Sequence, residues 1–215
     1  EDAKTIALLG RTDVMLVSRK DLGAGSLAEL VAMMKANTAK PLSFCSPGRG
    51  SLYHLIGERM NAIGGVTSLH VPYTGFPQCI TDMVGGQIDF AFLPIGGPFP
   101  GFVDNGSIKV LATLDDGPST RFPKVAPATA TRGFEDFRFS VWAGIHVNGR
   151  VPDANAQVLN KAAYDALAKP EVRKTIEATG AVVGEALNLQ QAQAAYLKEV
   201  QIYQAIARSL GITRQ

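Results

Sequence analysis

The sequence predicts an α/β fold with a mainly parallel sheet. Between residues 14 and 114, short apolar segments alternate with segments whose apolar residues recur at helical spacing. Most of the short segments are apolar throughout, which is typical of strands that helices cover on both faces. The alternation also favours parallel pairing, because each parallel strand is reached through a crossover connection.

Seven segments are predicted as strands and six as helices. The strands are 5–9, 14–18, 42–45, 68–71, 88–93, 109–114 and 139–147. The helices are 26–37, 51–63, 76–84, 154–168, 171–179 and 189–209. Ser26 and Glu29 have the spacing of a capping box at the start of the first helix. Gly85 and Gly86 are suited to ending the third helix.

A change in composition indicates the domain organisation. Residues 115–137 contain three prolines and little periodicity, so we interpret them as a crossover between two lobes. Residues 10–116 are expected to form one nearly complete α/β lobe. Residues 1–9 and 117–215 are expected to supply crossover segments and the carboxy-terminal part of the other lobe. The helices after Pro152 have one strong strand to cover, so an upstream part of that lobe is expected to be missing.

Composition excludes several classes of function. Lys and Arg number 21 against 19 Asp and Glu, and the basic residues are scattered, so binding to nucleic acid is not supported. No apolar stretch approaches the roughly 18 residues that a membrane span requires. The first residues lack the pattern of a signal peptide, so a leader is expected to have been removed or to lie outside these residues.

Neither a metal nor a cofactor is expected. His54, His70 and His146 lie far apart in the sequence and belong to no metal-binding motif. Cys45 and Cys79 are too few for a cysteine framework, and their simplest interpretation is two free thiols.

Loops at three predicted strand ends are suited to binding an anion. Ligands of open parallel sheets bind beyond the carboxyl ends of the strands, which lead here into residues 46–51, 72–77 and 93–98. The first two loops precede helices, whose N-terminal N–H groups attract negative charge. In this interpretation Ser51 donates its hydroxyl and N–H while Gly50 permits close approach. Thr74 and Gly75 act in the same way from the second loop.

A simpler interpretation of these loops stays open. Ser51 can merely cap its own helix, and the glycines can merely turn the chain. Arg49 can pair with a carboxylate or point into solvent. Trp142 lies in an apolar strand, where packing is its usual role, although a place at the lobe junction would let it line a cleft.

Enzymatic activity is not favoured. Cys45, Ser51 and His54 are close in sequence, but the serine lacks the context of a nucleophile elbow, and no acid is placed to orient the histidine. The glycine loop also lacks the spacing of a phosphate-binding loop.

The order of motifs resembles a known family. PLSFCSPGRGSLYHLIGERM, then HVPYTG followed by DMVGGQID, then the stretch from RFPKVAP to the strand of Trp142, are similar to the solute receptors of tripartite tricarboxylate transporters, also called Bug proteins. The resemblance spans nearly the whole chain. It implies a type II periplasmic-binding-protein-like fold of two lobes. It also implies a periplasmic receptor that binds a small organic mono- or dicarboxylate and presents it to membrane subunits of the transporter.

The resemblance implies a set of ligand-binding residues. By motif position, the glycine loop that holds a carboxylate corresponds to Gly48, Gly50 and Ser51, and the second loop corresponds to Tyr73, Thr74 and Gly75. Ser46, where the first loop starts, also belongs to the candidate set. The chain departs from the family pattern in three places. An upstream ligand-binding loop has no counterpart here, Arg49 stands where an uncharged residue is usual, and Leu93 with Pro94 replaces a polar pair. Arg49, Leu93 and Trp142 complete the candidate set.

Two structural expectations follow from the resemblance. A periplasmic compartment is oxidising, which makes a disulfide between Cys45 and Cys79 the alternative to two free thiols. If part of one lobe is missing, the helices after Pro152 expose apolar side chains, which dimerisation or exchange of segments would cover.

The rival interpretation is the effector-binding domain of a cytoplasmic transcription regulator, which shares a two-lobed α/β architecture.

Overall fold

The chain divides into two compact units. The structure, a computed structural model, describes residues 3–97, 99–115, 119 and 121–212. Unit 1 combines the chain up to Thr12 with Val141–Ala205, and unit 2 combines Asp13–Ser140 with the chain from Ile206 onward. The sequence placed the second boundary at residue 116, whereas in the structure residues 121–140 also belong to unit 2.

Unit 2 is built on five strands. They are β1 (Ala3–Arg19, from Asp13 onward), β2 (Ser43–Ser46), β3 (Leu69–Pro72), β4 (Phe90–Pro94) and β5 (Ile108–Thr113), in the order β3-β2-β4-β1-β5. β2 pairs in parallel with β3 and β4. β1 is antiparallel to β4 and β5. The predicted parallel pairing is therefore confirmed for β2 with β3 and for β2 with β4. It is wrong for β1.

The prediction of two short strands near the N-terminus is also wrong. Ala3–Arg19 is a single strand of 17 residues. Its residues Gly10–Thr12 pair with strand β7 of unit 1, and Val14–Ser18 pair with β4. The polar residues between the two apolar segments continue the strand, because Gly10, Arg11 and Thr12 pair with Val183, Val182 and Ala181.

Four helices lie wholly within the described residues of unit 2. They are α1 (Leu27–Ala36), α2 (Leu52–Gly64), α3 (Phe76–Val84) and the short α4 (Phe99–Asp104). The first three agree with the predicted helices, whereas α4 and a 3-10 turn at Ala128–Ala130 were not predicted. Ser26 caps α1 by accepting from the N–H of Glu29, as the capping-box pattern indicated. The carboxylate of Glu29 accepts from the N–H of Gly25 at 2.7 Å.

The core of unit 2 contains a disulfide bond. Cys45 in β2 and Cys79 in α3 are both fully buried and are joined, with their Cα atoms 5.9 Å apart. The interpretation of two free thiols is therefore wrong, because parallel pairing places the end of β2 beside the helix that follows β3. Met15, Leu93 and Ile80 pack in the same hydrophobic cluster.

Unit 1 has few buried side chains. Its elements are the first part of β1, β6 (Ser140–Asn148), α5 (Asp153–Leu167), α6 (Pro170–Glu177), β7 (Ala181–Val183) and α7 (Leu189–Ser209, to Ala205 in this unit). Both β6 and β7 pair with β1. The helices agree with prediction to within two residues, and the three-residue β7 was too short to recognise. The buried cluster of this unit consists of Ile6, Ala7 and Ala156.

Candidate functional site

Two of the predicted loops are neighbours in unit 2. β2 and β3 pair in parallel with Ser46 opposite Pro72, so the loops that follow both strands leave the sheet at the same edge. The N–H of Tyr73 donates to the carbonyl oxygen of Ser46 at 2.9 Å. We call residues 46–51 and 73–75 the two-loop site.

The first loop depends on two glycines. Gly48 and Gly50 have φ angles of 134° and 76°, which side chains disfavour. The hydroxyl of Ser46 donates to the carbonyl oxygen of Gly48 at 2.9 Å and accepts from the N–H of Gly48 at 3.3 Å. The loop is therefore a tight turn tied to the end of β2.

Ser51 is the N-cap of α2. Its Oγ accepts from the N–H of His54 at 3.3 Å and donates to the carbonyl oxygen of Gly48 at 2.8 Å. Its own N–H also points to the oxygen of Gly48, at 3.3 Å. Ser51 therefore caps its own helix, which was one of the two interpretations that the sequence left open. A direct contact from Ser51 to a ligand stays a prediction.

The second loop leads into α3 without a side-chain cap. Gly75 is the N-cap of α3 and Pro77 lies in its first turn. Pro77 has no backbone N–H, so it leaves no unpaired donor in this first turn. Thr74 is exposed. The positive end of the α3 dipole is thus open to an external acceptor of hydrogen bonds.

Tyr73 joins the second loop to α3. Its hydroxyl donates to the carboxylate of Asp82 at 2.6 Å. Burial, followed by this hydrogen bond and the charge of Asp82, raises the pKa of Tyr73 to about 12. The side chain is therefore neutral at physiological pH and positions the loop, while its N–H is already used by Ser46.

The two helices pack closely behind the loops. The ring of Tyr53 in α2 meets the ring of Phe76 in α3 edge to face, with centroids 4.7 Å apart. Gly57 lets α2 approach β2, because a Cβ atom at that position would lie 2.2 Å from the ring of Phe44. These contacts fix the directions of both helix N-termini.

Positive charge and two imidazoles surround the first loop. Arg49 is exposed and has no hydrogen bond or ion pair with another described residue. Burial, His54 and Arg49 lower the pKa of His70 to about 4. Burial also lowers the pKa of His54, assisted by Arg49 and opposed by Glu58. Both imidazoles are therefore neutral at neutral pH, and Arg49 is the cation of this loop.

Leu93 lies in the core of unit 2, and Trp142 lies in unit 1. Leu93 is 1% exposed and packs in the core of unit 2, so its side chain faces away from solvent. Trp142 lies in unit 1, where its ring meets that of Tyr196 at 5.3 Å and lines a cavity of about 300 Å³ with Arg11 and Lys198. A role for either side chain in ligand binding stays a prediction without a supporting contact.

The geometry does not support a nucleophilic enzyme. Cys45 is disulfide-bonded. The hydroxyl of Ser51 donates to Gly48, and Nδ1 of His54 accepts from the N–H of Gly50, so the two side chains do not form a nucleophile and base. Within the described ranges there is no cluster of three or more metal-ligating side chains.

The chain belongs to the receptor family of tripartite tricarboxylate transporters, whose family model matches residues 1–212. The family is one of receptors, which agrees with the expectation of a binding protein rather than an enzyme. It also favours a receptor over the effector domain of a transcription regulator.

The sequence identity between this chain and individual relatives is low. The chain is 26% identical to protein BugT of Bordetella pertussis over 213 residues, which are 98% of this chain and 64% of BugT. It spans 52% of another curated relative, from Agrobacterium vitis. The chain therefore corresponds to between half and two thirds of these relatives.

Solved structures share the fold. The periplasmic binding protein BugD has a TM-score of 0.86 at 23% identity, over 99% of this chain and 71% of BugD. A protein of R. palustris solved with adipate has a TM-score of 0.87 at 19% identity, over 98% of this chain and 69% of that one. MatC of Rhodopseudomonas palustris, solved with malate, has a TM-score of 0.82 at 24% identity, over 98% and 69%. The fold is thus that of periplasmic binding proteins of the Bug type.

No helix in the described part of the chain combines the length and apolar character that crossing a bilayer requires.

Proposed function

We propose that this chain is part of a solute receptor that binds one carboxylate of a small organic acid at the two-loop site. The observation that carries the proposal is the pair of loop-to-helix joints at neighbouring parallel strand ends, tied by the hydrogen bond from Tyr73 to Ser46. Helix N-termini of this kind attract anions. Arg49 adds a full positive charge at the same loop.

A dicarboxylate is the ligand class best supported. Two structural neighbours were solved with adipate and with malate, which are both dicarboxylic acids. One carboxylate would occupy the two-loop site, and the second would extend toward binding groups elsewhere. The exposed guanidinium of Arg49 favours an acid that carries two negative charges, because guanidinium and carboxylate pair strongly.

The family supports a proposal for the partner and the compartment of this protein. Its receptors serve tripartite transporters, so we infer that this protein delivers its ligand to membrane subunits from the periplasm. The buried Cys45–Cys79 disulfide supports an oxidising compartment.

Association with a second copy of the chain is also part of the proposal. Six of the eight large hydrophobic residues that the described chain exposes lie in unit 1, and Val158 and Val182 are 68% and 66% exposed. Apolar surface of this kind favours association, so we infer that unit 1 pairs with a second copy of the chain.

The binding proposal is tested by titrating the labelled protein with adipate and following backbone amide resonances. We expect the N–H signals of Gly50, Thr74 and Gly75 to shift together and to saturate. Adipamide, which has the same length and no charge, is the matched control and is expected to leave them unchanged. Equal shifts with both compounds, or shifts confined to other regions, would contradict a carboxylate site at these loops.

A further inference from the structure

Two stacked imidazole rings hold the first loop of the two-loop site. The N–H of Gly50 donates to Nδ1 of His54 at 3.1 Å, and Nε2 of His70 lies 2.7 Å from Oγ of Ser46. The two rings have centroids 4.1 Å apart and planes inclined by 28°. Both ends of the glycine turn are thus fixed to one pair of side chains.

The hydrogen bonds define where each ring carries its proton. Nδ1 of His54 accepts from Gly50, so the proton of the neutral ring is on Nε2, 3.7 Å from the carboxylate of Glu58. Oγ of Ser46 donates to the carbonyl of Gly48, so Nε2 of His70 is the donor to Ser46. Nδ1 of His70 is then an unprotonated nitrogen, buried without a partner.

The N–H of Gly50 is therefore not free for a ligand while His54 is neutral. An incoming carboxylate that accepts from Gly50 must replace Nδ1 of His54 as the acceptor. The displaced nitrogen then lies within about one hydrogen-bond length of an anion, and a nearby negative charge favours the protonated form of an imidazole.

The groups around His54 support this exchange. Glu58 on α2 is the acidic neighbour, Arg49 on the loop is the basic one, and His70 on β3 covers one face of the ring. Burial and Arg49 lower the pKa of His54, so the ring is neutral before the ligand arrives and has a proton to gain. Protonation of His70 at its unpartnered Nδ1 would leave a buried N–H without an acceptor, so His70 stays neutral.

We propose that His54 is a ligand-binding residue that takes up a proton when a carboxylate binds. The carboxylate accepts the N–H of Gly50, a proton from solvent adds to the freed lone pair on Nδ1 of His54, and the new Nδ1–H donates to the carboxylate. His70 is a positioning residue that holds Ser46 and supports the ring of His54. This inference rests on the proposed carboxylate site and adds a linkage between ligand and proton.

Calorimetry with adipate in buffers of different ionisation enthalpy measures this proton directly. At about pH 7 adipate is fully ionised, so any proton taken up enters the protein. We expect uptake of a fraction of one proton, growing as the pH is lowered from about 7.5 to about 6.5, with affinity rising over the same range.

Two substitutions of His54 separate its roles. His54→Asn keeps an acceptor near the position of Nδ1 and cannot titrate, so we expect adipate to bind without proton uptake. His54→Gln places its amide nearer the position of Nε2, so the acceptor for Gly50 is lost and uptake is again absent. His146→Gln, on unit 1, is the matched control and should retain the uptake of the unsubstituted protein.

The outcomes distinguish the two proposals. Proton uptake that is abolished by His54→Asn and retained by His146→Gln supports the inference. Binding of adipate without proton uptake, or uptake that persists in His54→Asn, overturns it and leaves the carboxylate site intact. Absence of adipate binding at any pH overturns the proposed function and this inference together.

Discussion

Cys45 at the end of β2 and Cys79 in α3 form a disulfide inside the core of unit 2. The bond closes a loop with a sequence separation of 34 residues that includes α2 and β3. We expect its removal to lower the free energy of unfolding by about 4 kcal/mol, because cross-linking restricts the unfolded chain. Urea unfolding with and without a reductant measures this difference.

The double variant Cys45→Ala/Cys79→Ala is the control for this prediction. It should be less stable than the oxidised protein and insensitive to the reductant. Thiol titration of the denatured, unreduced protein is the direct check. Two titratable thiols per chain would show that the bond does not form in solution.

Substitution of Ser51 allows its capping role and its predicted binding role to be measured separately. Ser51→Ala removes the cap of α2 and is expected to lower the free energy of unfolding by about 1 kcal/mol. It also removes the hydroxyl that is predicted to contact the carboxylate, so the affinity for adipate should fall about tenfold or more, as expected for losing a hydrogen bond to a charged group. Urea unfolding and calorimetry measure the two effects.

Ser26→Ala is the matched control for Ser51→Ala. Ser26 caps α1 through the same kind of bond, to the N–H of Glu29 at 3.2 Å, but lies outside the two-loop site. It should lower stability by a similar amount and leave adipate binding unchanged. Equal losses of affinity in the two variants would assign the effect to stability alone.

Arg49 is expected to set the preference for doubly charged ligands. Arg49→Gln should weaken adipate more than its monomethyl ester, because a charge pair is lost as well as a hydrogen bond. The ratio of the two dissociation constants, measured by amide shift titration, should therefore narrow. Arg59→Gln, further along α2, is the control and should leave the ratio unchanged. If Arg49→Gln weakens both ligands equally, the guanidinium does not discriminate charge.

The lowered pKa of His70 predicts how the free energy of unfolding depends on pH. Its pKa in the folded protein is about 4, below the ordinary 6.5, so the unfolded chain binds more protons between these values. The free energy of unfolding should therefore be highest above about pH 6.5 and should fall as the pH is lowered toward 4. Urea unfolding at a series of pH values measures the slope.

His70→Gln tests the source of this pH dependence. Glutamine can place its amide nitrogen near the position of Nε2, where it can still donate to Ser46, and it does not titrate. The variant should show a shallower loss of stability on acidification. An identical slope in the variant and in the unsubstituted protein would assign the acid sensitivity to other groups.

Much of unit 2 could be predicted from the sequence because its signals are local. The helix boundaries follow from Ser26, Ser51 and the glycines after Val84, whose side chains or backbones act within one turn. The loops after β2 and β3 could be located for the same reason. Apolar segments also indicated which strands are buried.

Pairing between distant segments could not be predicted in this way. The direction of β1 and its continuity through Arg11 depend on partners that lie more than 70 residues away. The bond between Cys45 and Cys79 requires that β2 and β3 be adjacent, which no local pattern specifies. The stack of His54 on His70 depends on the same adjacency, so the sequence did not indicate a ligand-binding role for His54.

The exposed apolar residues of unit 1 lead to the last prediction. Val158 on α5 and Leu197 on α7 are 68% and 46% exposed. Burying a side chain of this size is worth roughly 1.5 to 3 kcal/mol, so covering several of them can drive association. We expect light scattering to give a mass above the 22.8 kDa of one chain, with the excess rising with concentration.

Two pairs of substitutions locate the associating surface. Val158→Gln with Leu197→Gln makes unit 1 more polar and should shift the measured mass toward 22.8 kDa. Leu69→Gln with Val84→Gln changes the exposed residues of unit 2, which are 61% and 40% exposed, and is expected to leave association unchanged. Because both pairs remove apolar surface of similar kind, a difference between them identifies the unit responsible. A monomeric unsubstituted chain at high concentration, or dissociation caused by the unit 2 pair alone, would contradict the assignment to unit 1.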